Sequence, residues 1–223
     1  MNSISGSGER ILAILDIFDE GQPEWSPEQM MRALGYSRPT LYRYLKTLKD
    51  AGYLVSLPGQ GFTLGPRVTE LDFLMRQSDP LIAAGGPLLR MLAQRFPCSV
   101  FITRWYERKI LCVASEVSNP APKSSYPRGR PMPLGRGAIS RAIIASLPRP
   151  EQEAIVARHL RDLGGEGATE EGVFAHLRAV RRDGVCTAWG EVTPGVVGVA
   201  SPILAGERAP IAALCLTSNA ATV

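Results

Sequence analysis

The chain is poor in the residues on which metal and thiol chemistry depend: four cysteines and two histidines in 223 residues. Cys98, Cys112, Cys186 and Cys215 are widely spaced in apolar runs and form no Cys-x-x-Cys pair. That pattern predicts buried free thiols rather than disulfides or metal ligands. His159 and His176 lie far apart, with no His-x-x-x-His or His-x-x-Glu spacing, so no metal site is expected. No Gly-x-Ser-x-Gly, P-loop or Gly-x-Gly-x-x-Gly motif occurs, and Glu191 has no evident acid–base partner. The sequence therefore predicts neither an enzyme nor a cofactor. Apolar runs fall well short of the roughly 20 residues that a membrane span needs, so no membrane partner is expected. Residues 1–8 lack the charged and apolar regions of a signal peptide and are expected to form a disordered tail of a cytoplasmic protein.

Acids are also missing from one stretch. Ser37 to Lys49 holds four cations (Arg38, Arg43, Lys46, Lys49) and no Asp or Glu. This local excess is not a property of its half of the chain. Residues 1–77 carry eight Lys/Arg and nine Asp/Glu, a net of −1, whereas residues 78–223 carry seventeen and twelve, a net of +5. Clustering, rather than net charge, marks a nucleic-acid footprint.

Leu41, Leu45 and Leu48 fall at i, i+4 and i+7, the apolar stripe of one helix. Arg43 and Lys46 then point away from the stripe, with Arg38, Tyr42 and Lys49 on its flank. Gly52 stands where that helix would stop. Two short apolar runs around Pro58-Gly59-Gln60-Gly61 read as a hairpin. Upstream, an amphipathic helix is expected over Glu9–Glu20. Ser26-Pro27-Glu28-Gln29 is a capping-box start for a second helix to about Leu34. Gly35-Tyr36 makes the turn, and Ser37 is placed to cap the third helix. A helix docked by one face, with cations and hydroxyls on the other and a hairpin behind it, suits the major groove. Residues 9–65 thus read as a winged helix-turn-helix. A protein-interaction module with a vestigial helix-turn-helix is the alternative.

Residues 66–79 read as a linker helix carrying Val68, Leu71, Leu74 and Met75, and a second domain covers 80–223. Its first helix, Leu81 to Phe96, is expected to be interrupted at Gly85-Gly86-Pro87. From Cys98 the period changes to that of strands: Cys98–Tyr106, Ile110–Val117, Val185–Glu191, Val196–Leu204 and Pro210–Thr217. Residues 118–131 read as a long loop with a short strand near Ser124–Tyr126. Helices are expected at 137–147, 150–163 and 169–183. This is an α+β domain on an antiparallel sheet, with Trp105 and Trp189 expected in its core.

Both halves resemble the IclR family of bacterial transcriptional regulators, over Glu9 to Ser218. The resemblance rests on Gly35-Tyr36-Ser37-Arg38-Pro39-Thr40-Leu41-Tyr42-Arg43-Tyr44-Leu45, continuing through Gly52-Tyr53 to Phe62-Thr63-Leu64-Gly65. It extends through Pro133-Leu134, Gly137-Ala138, Gly184-Val185, Gly190-Glu191, Gly195 to Ile203, and Ala212-Ala213-Leu214. It departs at Gly135, where the family usually has His, and at Ser140-Arg141, where it usually has Gly-Lys. It also implies a C-terminal helix beyond the last strand, which this chain, ending at Val223, is expected to lack.

The resemblance implies an N-terminal all-α winged helix-turn-helix plus a C-terminal α+β GAF-like domain with an antiparallel sheet. It implies double-stranded DNA as partner, an inverted-repeat operator, and a homodimer or homotetramer. Arg38, Pro39, Thr40, Tyr42, Arg43, Lys46 and, at the wing tip, Gln60 are the DNA-contact candidates. Effector candidates are Met132, Leu134, Gly137, Ala138, Glu191, Val196, Gly198, Ala200 and Cys215. Backbone amides opening the Gly137 helix would cradle a carboxylate, with Arg130 and Arg136 adding positive potential if they point inward. The expected effector is a small organic or aromatic acid.

Overall fold

A computed structural model describes residues 6–59, 61–118, 126–206 and 209–222. It divides into two compact units, Met1–Asp79 and Pro80–Val223.

In the first unit, α1 (Ser7–Asp16), α2 (Pro27–Leu34) and α3 (Arg38–Asp50) precede the hairpin of β1 (Leu54–Leu57) and β2 (Gly61–Leu64), and α4 (Pro66–Ser78) follows. Helix α1 starts two residues before the expected Glu9, because the Glu9 carboxylate accepts from the Gly6 amide at 3.2 Å. It also ends short of Glu20, because Asp19 Oδ1 accepts from the Gly21 and Gln22 amides and bends the chain into a turn. The capping box of α2 forms as the sequence requires: Ser26 Oγ accepts from Gln29 N and Gln29 Oε1 from Ser26 N. Gly35, at φ +67°, ends α2 in the left-handed region, donating its amide to Met31 O. Leu41, Tyr44, Leu45 and Leu48 of α3 are buried with Ile14, Met30, Tyr36 and Leu54. Trp25 bridges to Phe62 on the edge of β2 away from β1. Gly61 has φ +111°, and a Cβ there would lie 2.4 Å from Trp25 O, so this close approach needs glycine. By contrast α4 buries no residue; Val68, Phe73, Leu74 and Met75 are exposed.

The second unit is a six-stranded antiparallel sheet in the order β5-β4-β3-β8-β7-β6. Its strands are β3 (Ser99–Tyr106), β4 (Lys109–Val117), β5 (Pro131–Met132), β6 (Cys186–Trp189), β7 (Val196–Ala205) and β8 (Ala209–Asn219). Helix α5 (Pro80–Arg95) joins one core, where Leu89 packs with Val100, Ile102, Val113 and Ala212. Helices α6 (Gly137–Ser146), α7 (Arg149–Gly164) and α8 (Glu170–Asp183) contribute to the other core, around Phe101, Cys112, Ala200 and Cys215. The sheet is therefore covered on both faces, and β3 is buried over its first five residues.

Four expectations need correcting in this unit. Helix α5 runs through Gly85-Gly86-Pro87 without a break. Pro87 forfeits one ladder hydrogen bond, but a Cβ on Gly85 would lie 2.2 Å from Ile102 Cδ1, so the glycine lets the helix lie close on the sheet. Pro131 and Met132, expected as loop or its end, pair with Leu111 and Ile110 as the edge strand β5. The strand expected over Val185–Glu191 stops at Trp189, because Gly190 turns the chain at φ +66°. Trp189 is exposed at the edge while Ala188 points inward; Trp105 packs half-buried against the core as expected. The short strand expected near Ser124–Tyr126 falls mostly outside the described residues. Tyr126 is described, and it is buried outside any strand.

Candidate nucleic-acid interface and effector cavity

Helix α3 separates its two faces cleanly. While its leucines and Tyr44 are buried, Arg38, Pro39, Tyr42, Arg43, Lys46 and Lys49 are exposed and Thr40 is half-buried. Two cations are steered by aromatic rings: the Arg38 guanidinium lies 5.5 Å from the Tyr42 ring centroid and that of Arg43 lies 5.2 Å from Tyr44. Such contacts restrict long side chains that would otherwise sample many rotamers. Ser37 occupies the N-cap position, but its hydroxyl donates to Thr40 Oγ1 at 3.0 Å rather than capping a backbone amide. No side chain caps the start of α3, and Pro39 at its second position has no amide to satisfy. Gln60 lies outside the described residues.

The second unit holds a narrow cavity of about 50 Å³ between the sheet and the start of α6. Seven of the nine candidate effector residues line it: Met132, Gly137, Ala138, Glu191, Val196, Gly198 and Cys215. Leu134 does not; it packs half-buried against the core. Ala200 does not either. It pairs with Cys215 across the sheet but belongs to the packed core that includes α6. Phe101, Tyr126, Thr193 and Thr217 also line the cavity, and the pattern of residues did not mark them. Phe101 and Cys215 are register partners on β3 and β8, as are Gly198 and Thr217 on β7 and β8. The lining is mainly apolar, with the Tyr126 and Thr193 hydroxyls 3.5 Å apart. Burial pushes the Cys215 thiol up and holds Cys112 at about 11, so both are neutral thiols near pH 7.

At the mouth the chain supplies its own ion pair. Arg141 Nη1 donates to Glu191 Oε1 at 2.6 Å, and the Gly137 amide donates to Glu191 Oε2 at 3.1 Å. Arg141 also donates through Nε and Nη2 to Leu163 O, at 3.3 and 2.9 Å. Arg136 donates to the Glu191 carbonyl at 2.7 Å. The expected carboxylate cradle at the start of α6 therefore exists, but a protein carboxylate already holds its first amide. Burial alone would raise the Glu191 pKa. The Arg141 hydrogen bond, the Gly137 amide and the two guanidinium charges outweigh it and hold the carboxyl below its usual range. Burial and Arg141 push His176 down while Glu191 partly offsets them. Arg136 reaches the mouth; Arg130 is exposed and stacks on Tyr126, 5.2 Å from its ring centroid.

The departures around Pro133-Leu134 also have structural reasons. Gly135 sits at φ +95°, and a Cβ there would come 2.9 Å from His159 Cβ. The neighbouring helix occupies the space a side chain at 135 would take. Ser140 Oγ accepts from the Gly135 amide at 2.7 Å and holds this turn. Arg141 was the residue whose role the sequence concealed. Its signal was a lone cation in the otherwise uncharged Gly137–Ser146 segment, which calls for a carboxylate partner.

Among the described residues no group of three His, Cys, Asp or Glu is arranged to hold a metal, and no helix is long and apolar enough to cross a membrane. Comparison with known proteins agrees with the two-part organisation. The chain is 27% identical over 216 residues to the HTH-type transcriptional regulator XynR of Escherichia coli, covering 95% of this chain and 85% of that protein. It is also 27% identical over 219 residues to the p-hydroxybenzoate hydroxylase transcriptional activator of Acinetobacter baylyi, covering 93% and 79%. An IclR homologue from Microbacterium hydrocarbonoxydans, solved in complex with 4-hydroxybenzoate, shares the fold: TM-score 0.79 at 18% identity, covering 96% of this chain and 90% of that one. The IclR helix-turn-helix domain model matches residues 7–58 and the bacterial transcriptional regulator IclR C-terminal model matches residues 75–223. With both models matched in order, and the second spanning more than half of its length, this chain belongs to the IclR family of DNA-binding transcriptional regulators.

Proposed function

We propose that this regulator binds an inverted-repeat operator as a homodimer or homotetramer and that a small organic or aromatic acid, received in the cavity beside α6, controls that binding. The observation that carries the reading is the cavity: an apolar slot whose mouth holds a helix N-terminus and the guanidinium of Arg136. Its walls suit a ring, and its mouth favours a negative charge. The name of the Acinetobacter relative and the 4-hydroxybenzoate bound to the Microbacterium homologue point to the same class of compound.

DNA contact is assigned to Arg38, Pro39, Thr40, Tyr42, Arg43 and Lys46 on the exposed side of α3. Effector contact is assigned to Met132, Gly137, Ala138, Val196, Gly198 and Cys215, with Phe101 and Tyr126 flanking the ring and Glu191 bordering the mouth. One helix-turn-helix reads only a short half-site, so two copies on a palindrome are the economical arrangement. The exposed Val68, Phe73, Leu74 and Met75 of α4 offer apolar surface for pairing the copies. An effector then acts by its differential affinity for two arrangements of the paired units.

The test is a fluorescence-anisotropy titration of promoter DNA from the protein's own locus, with and without 4-hydroxybenzoate. The expected result is salt-sensitive binding whose affinity the acid changes. Binding indifferent to salt between about 50 and 200 mM would refute the DNA contact. Affinity unmoved by a panel of aromatic acids, none of which raises the melting temperature, would refute the sensing role.

A further inference from the structure

The Glu191 carboxylate lies where an effector's carboxylate would be drawn. It accepts from the first amide of α6 and from Arg141, and it borders the apolar cavity. It also borders a second, wider cleft, lined by Arg141, Arg161, Asp162, Glu166 and His176 among others. Its side chain keeps 31% of its exposure. Glu191 is thus anchored by two hydrogen bonds at the cavity mouth, with open space on its other side into which it can turn.

We propose that Glu191 is a resident carboxylate, which an acid effector must displace from the Gly137 amide and Arg141, and that this competition sets the specificity of the cavity. The inference rests on the acid-sensing reading above. A tethered group competes at a high effective concentration, on the order of millimolar or more. A small acid without an apolar body, such as acetate, brings nothing further to offset it. An aromatic acid brings its ring to Phe101, Tyr126 and Met132 and adds burial of apolar surface to the exchange. Glu191 thus filters out small carboxylates and admits those whose remainder fills the slot. Once displaced, Glu191 finds Arg161 and His176 on the walls of the outer cleft, so its charge need not be stranded.

The experiment compares benzoate with benzamide, which share shape and differ in charge, by calorimetric titration of the full chain and of Glu191→Ala. Removing the competitor should tighten benzoate about tenfold, the scale of one charge-assisted hydrogen bond, and move benzamide by less than about twofold. Glu191→Gln keeps an acceptor for the Gly137 amide without the negative charge. It should shift the benzoate-to-benzamide ratio in the same direction by less, and it supplies the measurement should the alanine variant fold poorly. A residue that only shapes the mouth would move both ligands together. If wild type binds benzoate and neither variant raises its preference over benzamide, the resident-carboxylate proposal falls while acid sensing stands. If benzoate binds neither wild type nor the variants, both fall.

Discussion

Helices α3 and α6 each carry cationic side chains and treat them in opposite ways. In α3 all four cations face solvent, and aromatic rings support two of them without neutralising either. In α6 every residue is buried, and its one cation, Arg141, spends its donors on Glu191 and the Leu163 carbonyl. An exposed cation costs little and remains available to a partner outside the protein. A buried one must be neutralised from within, and its removal strands whatever it was paired with. Charge on α3 is therefore free to serve binding, whereas charge on α6 is a matter of stability and of the shape of the cavity mouth.

The sharpest way to break this contrast is Arg141→Ala. It should destabilise the protein by about 3–5 kcal/mol in urea unfolding, because the buried pair is broken: the Leu163 carbonyl loses the Arg141 donors and Glu191 is left with the Gly137 amide. Pairing Arg141→Met with Glu191→Gln should recover much of that loss; no recovery would show that the ion pair is not the cause. Leu45→Ala on the buried side of α3 should cost about 2–5 kcal/mol, seen as early melting of the first unit, with DNA binding lost only where that unit unfolds. Arg43→Ala on the opposite face should leave the melting curve within about 0.5 kcal/mol. It should nevertheless weaken operator binding by about 1–3 kcal/mol if the guanidinium reads a base edge. A stability loss without a binding loss would reverse the roles given to the two faces. Lys46→Ala should be milder, weakening binding across sequences and lowering the salt slope by about one.

The smallest expected effect is in acid. Glu191 titrates lower in the folded protein than in the unfolded chain. Its contribution is therefore fully present above the unfolded carboxyl value of about 4.3 and is lost as pH falls through the lower folded value. Glu191→Gln should flatten this part of the pH–stability curve and leave the neutral region's shape unchanged. An unaltered acid limb would show that the carboxylate is not held as described.

Local pattern carried much of this molecule. The capping box at Ser26, the left-handed stop at Gly35 and the leucine spacing of α3 each depend on residues within one or two turns, so they were legible in the chain. So were the antiparallel strands and the helices between them, apart from their ends. The ends of α1 and the Ser37 cap were misread through contacts between neighbours, whereas the larger misreadings depended on contacts distant in sequence. Helix α5 survives Pro87 because Gly85 lies against Ile102. Two residues at Pro131 become a strand because Leu111 and Ile110 lie beside them. Trp189 is exposed because β6 is the sheet edge.

The candidate cavity divides in the same way. Its glycine-rich helix start and the small residues of β7 stood out in the sequence, while Phe101, Tyr126 and Thr217 join them only through strand register. The sequence by itself determined that one helix would dock by its leucines and leave cations outside, because helical periodicity is a property of neighbours on the chain. Only the tertiary structure decided that Glu191 would close on Gly137 and Arg141. Residues about fifty positions apart meet according to how sheet and helices pack, and no local preference records that distance.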